Sequence, residues 1–177
     1  MKTDNSHIKE KIQLRLDCLP NKKTINILDC FAGKGTIWNE VKKVSKKNIQ
    51  ILSIEKEKDK NKLALTGSNL KYLNILDLTK FDIIDLDAYG IPYQQLKILF
   101  DKEYKGTILV TAIQSGMGQL PKGLLKDIGY SEKMISKISS IFNQKGIDKL
   151  KNYLYLRGVK FIEGYFIDRK NYFYFIT

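Results

Sequence analysis

Apolar segments of strand length alternate with amphipathic segments of helix length through the first two thirds of the chain. The first apolar run predicts a strand at 24–30, and later runs predict strands at 49–54, near Lys62–Thr66, at 81–87 and at 106–113. Helical spacing predicts a lead-in helix at 7–19 within residues 1–23, a helix at 36–47 and a helix that begins near Pro92. Strands separated by helices imply parallel βαβ crossovers, with helices on both faces of the sheet.

The last third of the chain departs from this alternation. A glycine-rich stretch at 115–130 follows the fifth strand, and residues 115–145 are interpreted as an insertion there. Helical patterns follow at 131–142 and 146–157, and two aromatic-rich strands split by Asp168–Asn171 predict a terminal hairpin. The pattern therefore predicts an α/β fold in one domain: a doubly wound, mostly parallel seven-stranded sheet with an antiparallel C-terminal hairpin strand.

Composition is consistent with one domain and excludes several classes of protein. The 177 residues are 43% hydrophobic, which is enough for one sizeable core without disulfides or a structural metal. No apolar run approaches the roughly 18 residues of a membrane span, and no secretory leader is evident, so we expect a cytoplasmic protein without a membrane partner. Cys18 and Cys30 lack metal-ligand spacing, so we expect both to be reduced and structural, and we expect no metal site.

The net charge of +12 suggests a polyanionic partner, but it has a second explanation. Nearly all of the positive charge is Lys, with Arg only at Arg15, Arg157 and Arg169. A chain rich in Lys, Ile and Asn is also what AT-rich coding produces. Charge alone therefore favours nucleic acid only slightly over an ordinary solvated surface.

The first strand continues through a glycine-containing turn into a helix, in the stretch "INILDCFAGKGTIWNEV" (25–41). A P-loop is excluded because Leu28 stands where its first glycine would be. A dinucleotide fingerprint is excluded because Trp38 stands at its third glycine. Gly33 and Gly35 remain, with Glu55 at the end of the second strand, where a carboxylate can accept ribose hydroxyls. This spacing predicts a nucleoside site, although glycines that merely form a turn are the alternative.

The segment "ILDCFAGKGT" resembles motif I of the class I S-adenosylmethionine-dependent methyltransferases, and the resemblance extends from about Ile25 to Ile113. It implies that residues 1–177 form a single Rossmann-like methyltransferase domain with S-adenosylmethionine as cofactor. By the resemblance, the cofactor's methionine part is surrounded by Asp29, Phe31, Gly33 and Gly35. It also implies that Glu55 holds the ribose and that Ser68 or Asn69, in "LTGSNL", meets the adenine.

The fourth strand is followed by "DLDAYGIP", which resembles the Asp-Pro-Phe/Tyr-Gly-x-Pro motif of tRNA guanine-N2 methyltransferases. An aromatic amine delocalises its lone pair into the ring, so an acceptor must hold its N–H and direct the lone pair toward the methyl group. The resemblance implies that Asp87 does this, that Tyr89 stacks on the base, and that Gly90 and Pro92 adjoin the substrate. Ala88 replaces the proline of that motif. The alternative interpretation is that Asp87 caps the next helix and Tyr89 is a packing residue.

Together these residues predict a methyltransferase that acts on an exocyclic amino nitrogen of a nucleobase, with RNA favoured over DNA. Lys122, in the stretch after the fifth strand, is a candidate substrate contact, while His7 is expected to be a surface residue. The chain lacks an evident recognition domain, so a partner subunit or a homo-oligomer is also expected. The alternatives are a small-molecule methyltransferase and a cofactor-binding subunit without catalysis.

Overall fold

The computed structural model describes residues 7–58, 60–114, 119–137, 144–167 and 169–177. The strands are β1 Thr24–Asp29, β2 Asn48–Glu55, β3 Leu65–Thr66, β4 Ile83–Asp87, β5 Thr107–Ile113, β6 Glu163–Ile167 and β7 Lys170–Ile176. The helices are α1 Ile8–Asp17, α2 Thr36–Val44, α3 Asn69–Ile75, α4 Tyr93–Asp101, α5 Lys122–Asp127, α6 Glu132–Lys137 and α7 Gly146–Leu156, with a 3₁₀ turn at Leu78–Lys80.

The seven strands form one sheet in the order β3-β2-β1-β4-β5-β7-β6. The first five strands are parallel, and β7 is antiparallel to both β5 and β6. The predicted fold class is therefore confirmed, including the antiparallel C-terminal hairpin. The carboxyl ends of the five parallel strands all lie at one edge of this sheet, which is where open α/β sheets bind ligands.

Helices cover both faces of the sheet, as predicted. Ile25, Ile27 and Ile83 point to the face covered by α1 and α2, where Leu14, Trp38 and Val41 pack against them. The alternate residues point to the opposite face and pack with α3, α4, α5 and α7 in a larger core that includes Leu28, Ile84, Leu86, Leu96, Leu124 and Leu150. Because strands buried on both faces are continuous apolar runs, these segments were recognisable in the sequence.

Several predicted boundaries differ from the structure. The helix predicted at 36–47 ends at Val44, since Ser45 is already extended and the chain must reverse before β2 begins at Asn48. The helix α3 and the 3₁₀ turn after it were not predicted. Asn171, which was assigned to the hairpin turn, lies within β7 because it pairs with Ala112 of β5.

Some predictions fall partly on residues that the structure does not describe. These are 115–118 in the glycine-rich stretch, 138–142 of the helix predicted at 131–142, and Asp168 in the hairpin turn. The rest of the glycine-rich stretch contains α5, so it is partly helical. In the described part of the chain, no helix combines the length and apolar character needed to cross a membrane.

Candidate active site

A cavity of about 820 Å³ lies at the carboxyl edge of the parallel strands. It is lined by the ends of β1, β2, β4 and β5 and the loops that follow β1, β2, β3 and β4, together with residues of α1, α2, α3 and α4 and one residue of β7. The predicted site residues that line it are Asp29, Phe31, Gly33, Gly35, Glu55, Ser68, Asn69, Asp87 and Tyr89. Gly90, Pro92 and Lys122 are not among its lining residues. Its volume is in the range of small-molecule and cofactor pockets, which is about 300–1,000 Å³.

The loop between β1 and α2 leaves room for a ligand beside its backbone. Gly33 and Gly35 both have left-handed backbone conformations, with φ of 52° and 72°, which side chains other than glycine rarely adopt. A Cβ atom at Gly33 would meet no other atom within 4 Å. The backbone at Gly33 is therefore open to the cavity, and a bound group can approach it closely.

Glu55 is held in place by backbone N–H groups on both sides. Its Oε2 atom accepts a hydrogen bond from the Gly33 N–H at 2.8 Å, and its Oε1 atom accepts one from the Glu57 N–H at 3.1 Å. A carboxylate has about four acceptor positions, so further positions remain for the hydroxyls of a ligand. The glycine loop and the Glu55 carboxylate, which the sequence predicts to form one site, are thus joined by a direct hydrogen bond.

Ser68 and Asn69 differ in how far their side chains are already engaged. The Asn69 amide donates to the Cys30 carbonyl at 3.0 Å and accepts from Gln95 at 2.9 Å, so it ties the loop after β1 to α3 and α4. Ser68 is exposed at the start of α3, and its side chain makes no capping hydrogen bond there. Of these two candidates, Ser68 is therefore better placed to contact a ligand.

Three carboxyl groups line up where β1 and β4 end. Asp29 and Asp85 are register partners on these strands, and Asp87 lies two residues beyond Asp85 on the same face of the sheet. Asp85 is buried, and its Oδ2 atom accepts from the Trp38 indole at 2.7 Å. The indole that excludes a dinucleotide fingerprint therefore also helps to hold this carboxylate.

Helix α1 supplies two cations to these carboxylates. Arg15 is buried and contacts Asp85 Oδ2 through its Nε at 2.9 Å and its Nη2 at 2.7 Å. The Lys11 ammonium lies 2.8 Å from Asp87 Oδ1 and 3.0 Å from Oδ2. Both cations line the cavity, and sequence reasoning missed them. The available signal was their spacing, since residues 11 and 15 lie one turn apart on the same helix face as buried Leu14.

The carboxyl groups ionise differently because their surroundings differ. Burial, reinforced by the neighbouring Asp85 charge, raises the pKa of Asp29 well above its usual value. Burial also raises the pKa of Asp85, although Arg15 opposes this. Burial has the same tendency at Asp87, but the charges of Arg15 and Lys11 and a hydrogen bond from Thr111 outweigh it and lower the pKa of Asp87. Asp87 is consequently a stable carboxylate at neutral pH.

The alternative interpretation of Asp87 as a helix cap is wrong. Helix α4 begins after Pro92 and has no side-chain cap, while the Asp87 carboxylate faces Lys11. Tyr89 is 69% exposed at the cavity, so its ring is available for stacking. The Ala88 N–H donates to the Leu86 carbonyl at 2.8 Å, a bond that the proline of the related motif could not make.

The remaining candidates lie beside the cavity. The Gly90 carbonyl accepts from the Ile113 N–H at 3.1 Å and so connects the loop after β4 to the end of β5. Pro92 is buried at the start of α4, and Lys122 is exposed at the start of α5. His7 is half-buried at the start of α1 and pairs with Glu10.

The two thiols are not reactive groups. Cys18 and Cys30 are buried and unpaired with each other. Burial raises the pKa of Cys18 to about 12 and raises that of Cys30 well above its usual value, so both stay protonated. Among the described residues, no group of three or more His, Cys, Asp or Glu side chains is arranged to hold a metal ion.

No protein-family model and no curated protein matches this sequence, but solved structures resemble its fold. A candidate rRNA methylase from Clostridium thermocellum has a TM-score of 0.56 and 11% identity, over 99% of this chain and 97% of that one. Precorrin-6y C5,15-methyltransferase from Geobacter metallireducens has a TM-score of 0.54 and 10% identity, over 94% and 86% of the two chains. The plantazolicin methyltransferase BamL, solved with SAH, has a TM-score of 0.50 and 13% identity, over 85% and 60%. The chain therefore has the Rossmann-like fold of S-adenosylmethionine-dependent methyltransferases.

Proposed function

We propose that this protein is an S-adenosylmethionine-dependent methyltransferase that modifies an exocyclic amino nitrogen of a nucleobase in RNA. The observation that carries the proposal is that one cavity contains both the anchored Glu55 carboxylate and the ionised Asp87 carboxylate. The first suits a nucleoside cofactor and the second suits an amine that must be oriented. The shared fold and the SAH complex of one neighbour support the cofactor assignment.

The residues around the glycine loop fit the cofactor. Glu55 has acceptor positions for two ribose hydroxyls, the open backbone at Gly33 admits a close ligand, and Ser68 lies on the side proposed for the adenine. Asp29 lies close to this loop, and a cationic ligand there would favour its ionised form, which burial otherwise disfavours. When bound, S-adenosylmethionine supplies an electrophilic methyl group on a positively charged sulfur.

Asp87 acts on the acceptor amine by orientation. Its carboxylate accepts one N–H of the amine, so that the nitrogen lone pair points toward the methyl carbon. Bound S-adenosylmethionine would then supply the methyl group to this oriented nitrogen in one in-line displacement, and sulfur would keep the electron pair of the bond that breaks. The amine loses one proton. Because the pKa of Asp87 is lowered, it is a weak base, and the proton leaves to water. Most of the rate then comes from holding the reacting atoms about 3–3.5 Å apart.

The neighbourhood of Asp87 suits a planar base. Tyr89 offers an exposed ring at the cavity, and base stacking on such a ring contributes about 1–3 kcal/mol. Gly90 and Pro92 shape the loop that carries Tyr89, and Lys122 is available to a larger substrate at the start of α5. The +12 net charge favours a polyanion, and a neighbour described as an rRNA methylase favours RNA over DNA. A partner subunit or a second copy of the chain would extend the small recognition surface.

The test is methyl transfer from labelled S-adenosylmethionine to separate pools of tRNA, rRNA, DNA and small-molecule amines. We expect label in an RNA pool, and we expect Asp87→Asn to lower its incorporation on the order of 100-fold, while the matched Asp101→Asn change, at an exposed carboxylate of α4, leaves it intact. Transfer only to small molecules would establish the small-molecule alternative. Cofactor binding without transfer to any pool would indicate a non-catalytic subunit.

A further inference from the structure

Lys11 places a cation directly beside the carboxylate that is proposed to hold the target amine. Its ammonium contacts both oxygens of Asp87, its side chain is only 10% exposed, and it lines the same cavity. Arg15 lies 2.7 Å from Asp85 and 3.5 Å from Asp87, whereas Lys11 lies 2.8 Å from Asp87, so Lys11 is the cation in closer contact with the carboxylate that a ligand would bind. The pair makes this end of the cavity nearly neutral, so it does not attract a protonated alkylamine.

The Lys11 ammonium has an N–H group that can donate a hydrogen bond to a ligand at Asp87. It carries three N–H groups, and within the described residues its ammonium makes two hydrogen bonds, both with Asp87. The Tyr172 ring centre lies 5.3 Å from the ammonium. Asp87, Thr111 and Tyr172 are register partners across β4, β5 and β7, so their side chains lie on the face that α1 covers. The ammonium is therefore fixed between a carboxylate and an aromatic ring.

A ligand amine bound to Asp87 necessarily lies close to this ammonium. The amine must be about 3 Å from a carboxylate oxygen, and both oxygens are already within 3.0 Å of Lys11 Nζ. In guanine, adenine and cytosine, one of the two ring atoms next to the amine-bearing carbon is an unprotonated nitrogen. That nitrogen lies close enough to the amine for one ammonium to reach it while it still contacts Asp87.

We propose that Lys11 is a specificity-determining residue that donates a hydrogen bond to the unprotonated ring nitrogen adjacent to the target amine. The substrate class is then a neutral aromatic amine with a neighbouring acceptor, which is the edge presented by guanine N2 and N3, adenine N6 and N1, or cytosine N4 and N3. This inference rests on the proposed function and deepens it. It also disfavours cationic alkylamines and aromatic amines whose neighbouring ring atom is carbon.

The experiment compares substrates that differ only in this acceptor. Three short RNA oligonucleotides, each with an unpaired guanosine, adenosine or cytidine, are compared with counterparts containing 3-deazaguanosine, 1-deazaadenosine or 3-deazacytidine. For the oligonucleotide that accepts a methyl group, we expect the deaza counterpart to lower kcat/KM by roughly 10- to 150-fold, the effect of one charge-assisted hydrogen bond. Lys11→Met should lower kcat/KM of the normal substrate similarly and show little further loss with the deaza counterpart.

The variant comparison removes the other effects of the deaza substitution. Changes in ring electronics or stacking act equally on the unchanged protein and on Lys11→Met, whereas the proposed contact exists only with Lys11 present. Lys9→Met, at an exposed lysine of the same helix, should behave like the unchanged protein. Lys11→Arg retains the charge and should keep part of the discrimination.

The outcomes separate this inference from the proposed function. Lys11 does not determine specificity if the unchanged protein methylates normal and deaza substrates equally, or if Lys11→Met discriminates between them as strongly as the unchanged protein. The methyltransferase assignment would stand in either case. If no oligonucleotide or RNA pool accepts a methyl group, both proposals fail. Should Lys11→Met not fold, Lys11→Arg takes its place: a smaller deaza effect than in the unchanged protein supports the contact, and an equal deaza effect contradicts it.

Discussion

The Lys11–Asp87 pair allows the structural and catalytic roles of Asp87 to be measured separately. The two side chains are 10% and 15% exposed, so removing either one leaves its partner charged and largely desolvated. Asp87→Asn should lower the free energy of unfolding by about 1.5–3 kcal/mol, the contribution of a hydrogen bond to a charged group. Lys11→Met should cost less, because Arg15 remains 3.5 Å from Asp87 and Thr111 still donates to it.

The double variant distinguishes the two roles. The Lys11→Met, Asp87→Asn double variant contains neither charge. Its loss in free energy of unfolding should therefore be smaller than the sum of the two single losses by a coupling energy of about 0.5–3 kcal/mol. Turnover should not recover with it. An oriented amine needs the ionised carboxylate in the transition state, so Asp87→Asn and the double variant should both lose on the order of 100-fold in kcat.

The assay uses urea unfolding for stability, calorimetry for S-adenosylmethionine affinity, and turnover with the RNA that accepts label. Cofactor affinity should change little in these variants because Glu55, which anchors the Gly33 loop, ends β2, and β1 separates β2 from the β4 strand that carries Asp87. A double variant that regains turnover in proportion to its stability would refute a catalytic role for Asp87, which would then serve only to hold α1 against the sheet.

Glu55, Asp29 and the net charge of +12 can each be tested separately. Glu55→Gln should weaken S-adenosylmethionine binding by about 1.5–3 kcal/mol in calorimetry, because it removes the charge but keeps an acceptor for the Gly33 N–H, whereas the exposed Glu57→Gln should not. Because the pKa of Asp29 is raised, the folded protein loses stability as pH rises through that pKa. Asp29→Asn should therefore raise the melting temperature of the ligand-free protein at neutral pH, flatten the decline of that temperature with rising pH, and lower the affinity for the cofactor. An unchanged pH dependence of the melting temperature would contradict this. RNA affinity should fall steeply with salt, with a slope of about −0.7 per phosphate contact in log–log form, and a flat dependence would favour a small-molecule substrate.

Much of the fold could be predicted because its strands are buried on both faces. Runs such as Ile83–Asp87 and Thr107–Ile113 are rich in Ile, Leu and Val and almost fully buried, and a segment with helical spacing separates them, which indicates a parallel crossover. Parallel strands bring their carboxyl ends to one edge, so residues that follow different strands could be expected to meet. Glu55 and the Gly33 loop do meet there, through a direct hydrogen bond.

The parts that could not be predicted depend on contacts over long sequence distances. Lys11 and Asp87 are 76 positions apart, and a lysine on a short helix gives no indication of which carboxylate it will face. Helix α3 was missed because seven residues are too few for a clear helical period, and tertiary packing of Leu73 stabilises it. Lys122 was assigned to the substrate from its position in a loop, but that loop forms a helix outside the cavity lining.

The charge balance of the site connects its stability with its proposed ligands. Arg15 compensates Asp85, and Lys11 compensates Asp87, so both carboxylates on β4 have a cation from α1. Asp29 has no ion pair of its own in the described residues, and burial makes its ionisation unfavourable. A positively charged ligand beside Asp29 would supply the missing cation, whereas a neutral amine suits the compensated pair at Asp87. A cationic cofactor beside Asp29 would therefore recover the stability that the ligand-free protein loses when Asp29 ionises, and the neighbouring Asp29 and Asp87 carboxyl groups are suited to ligands of different charge.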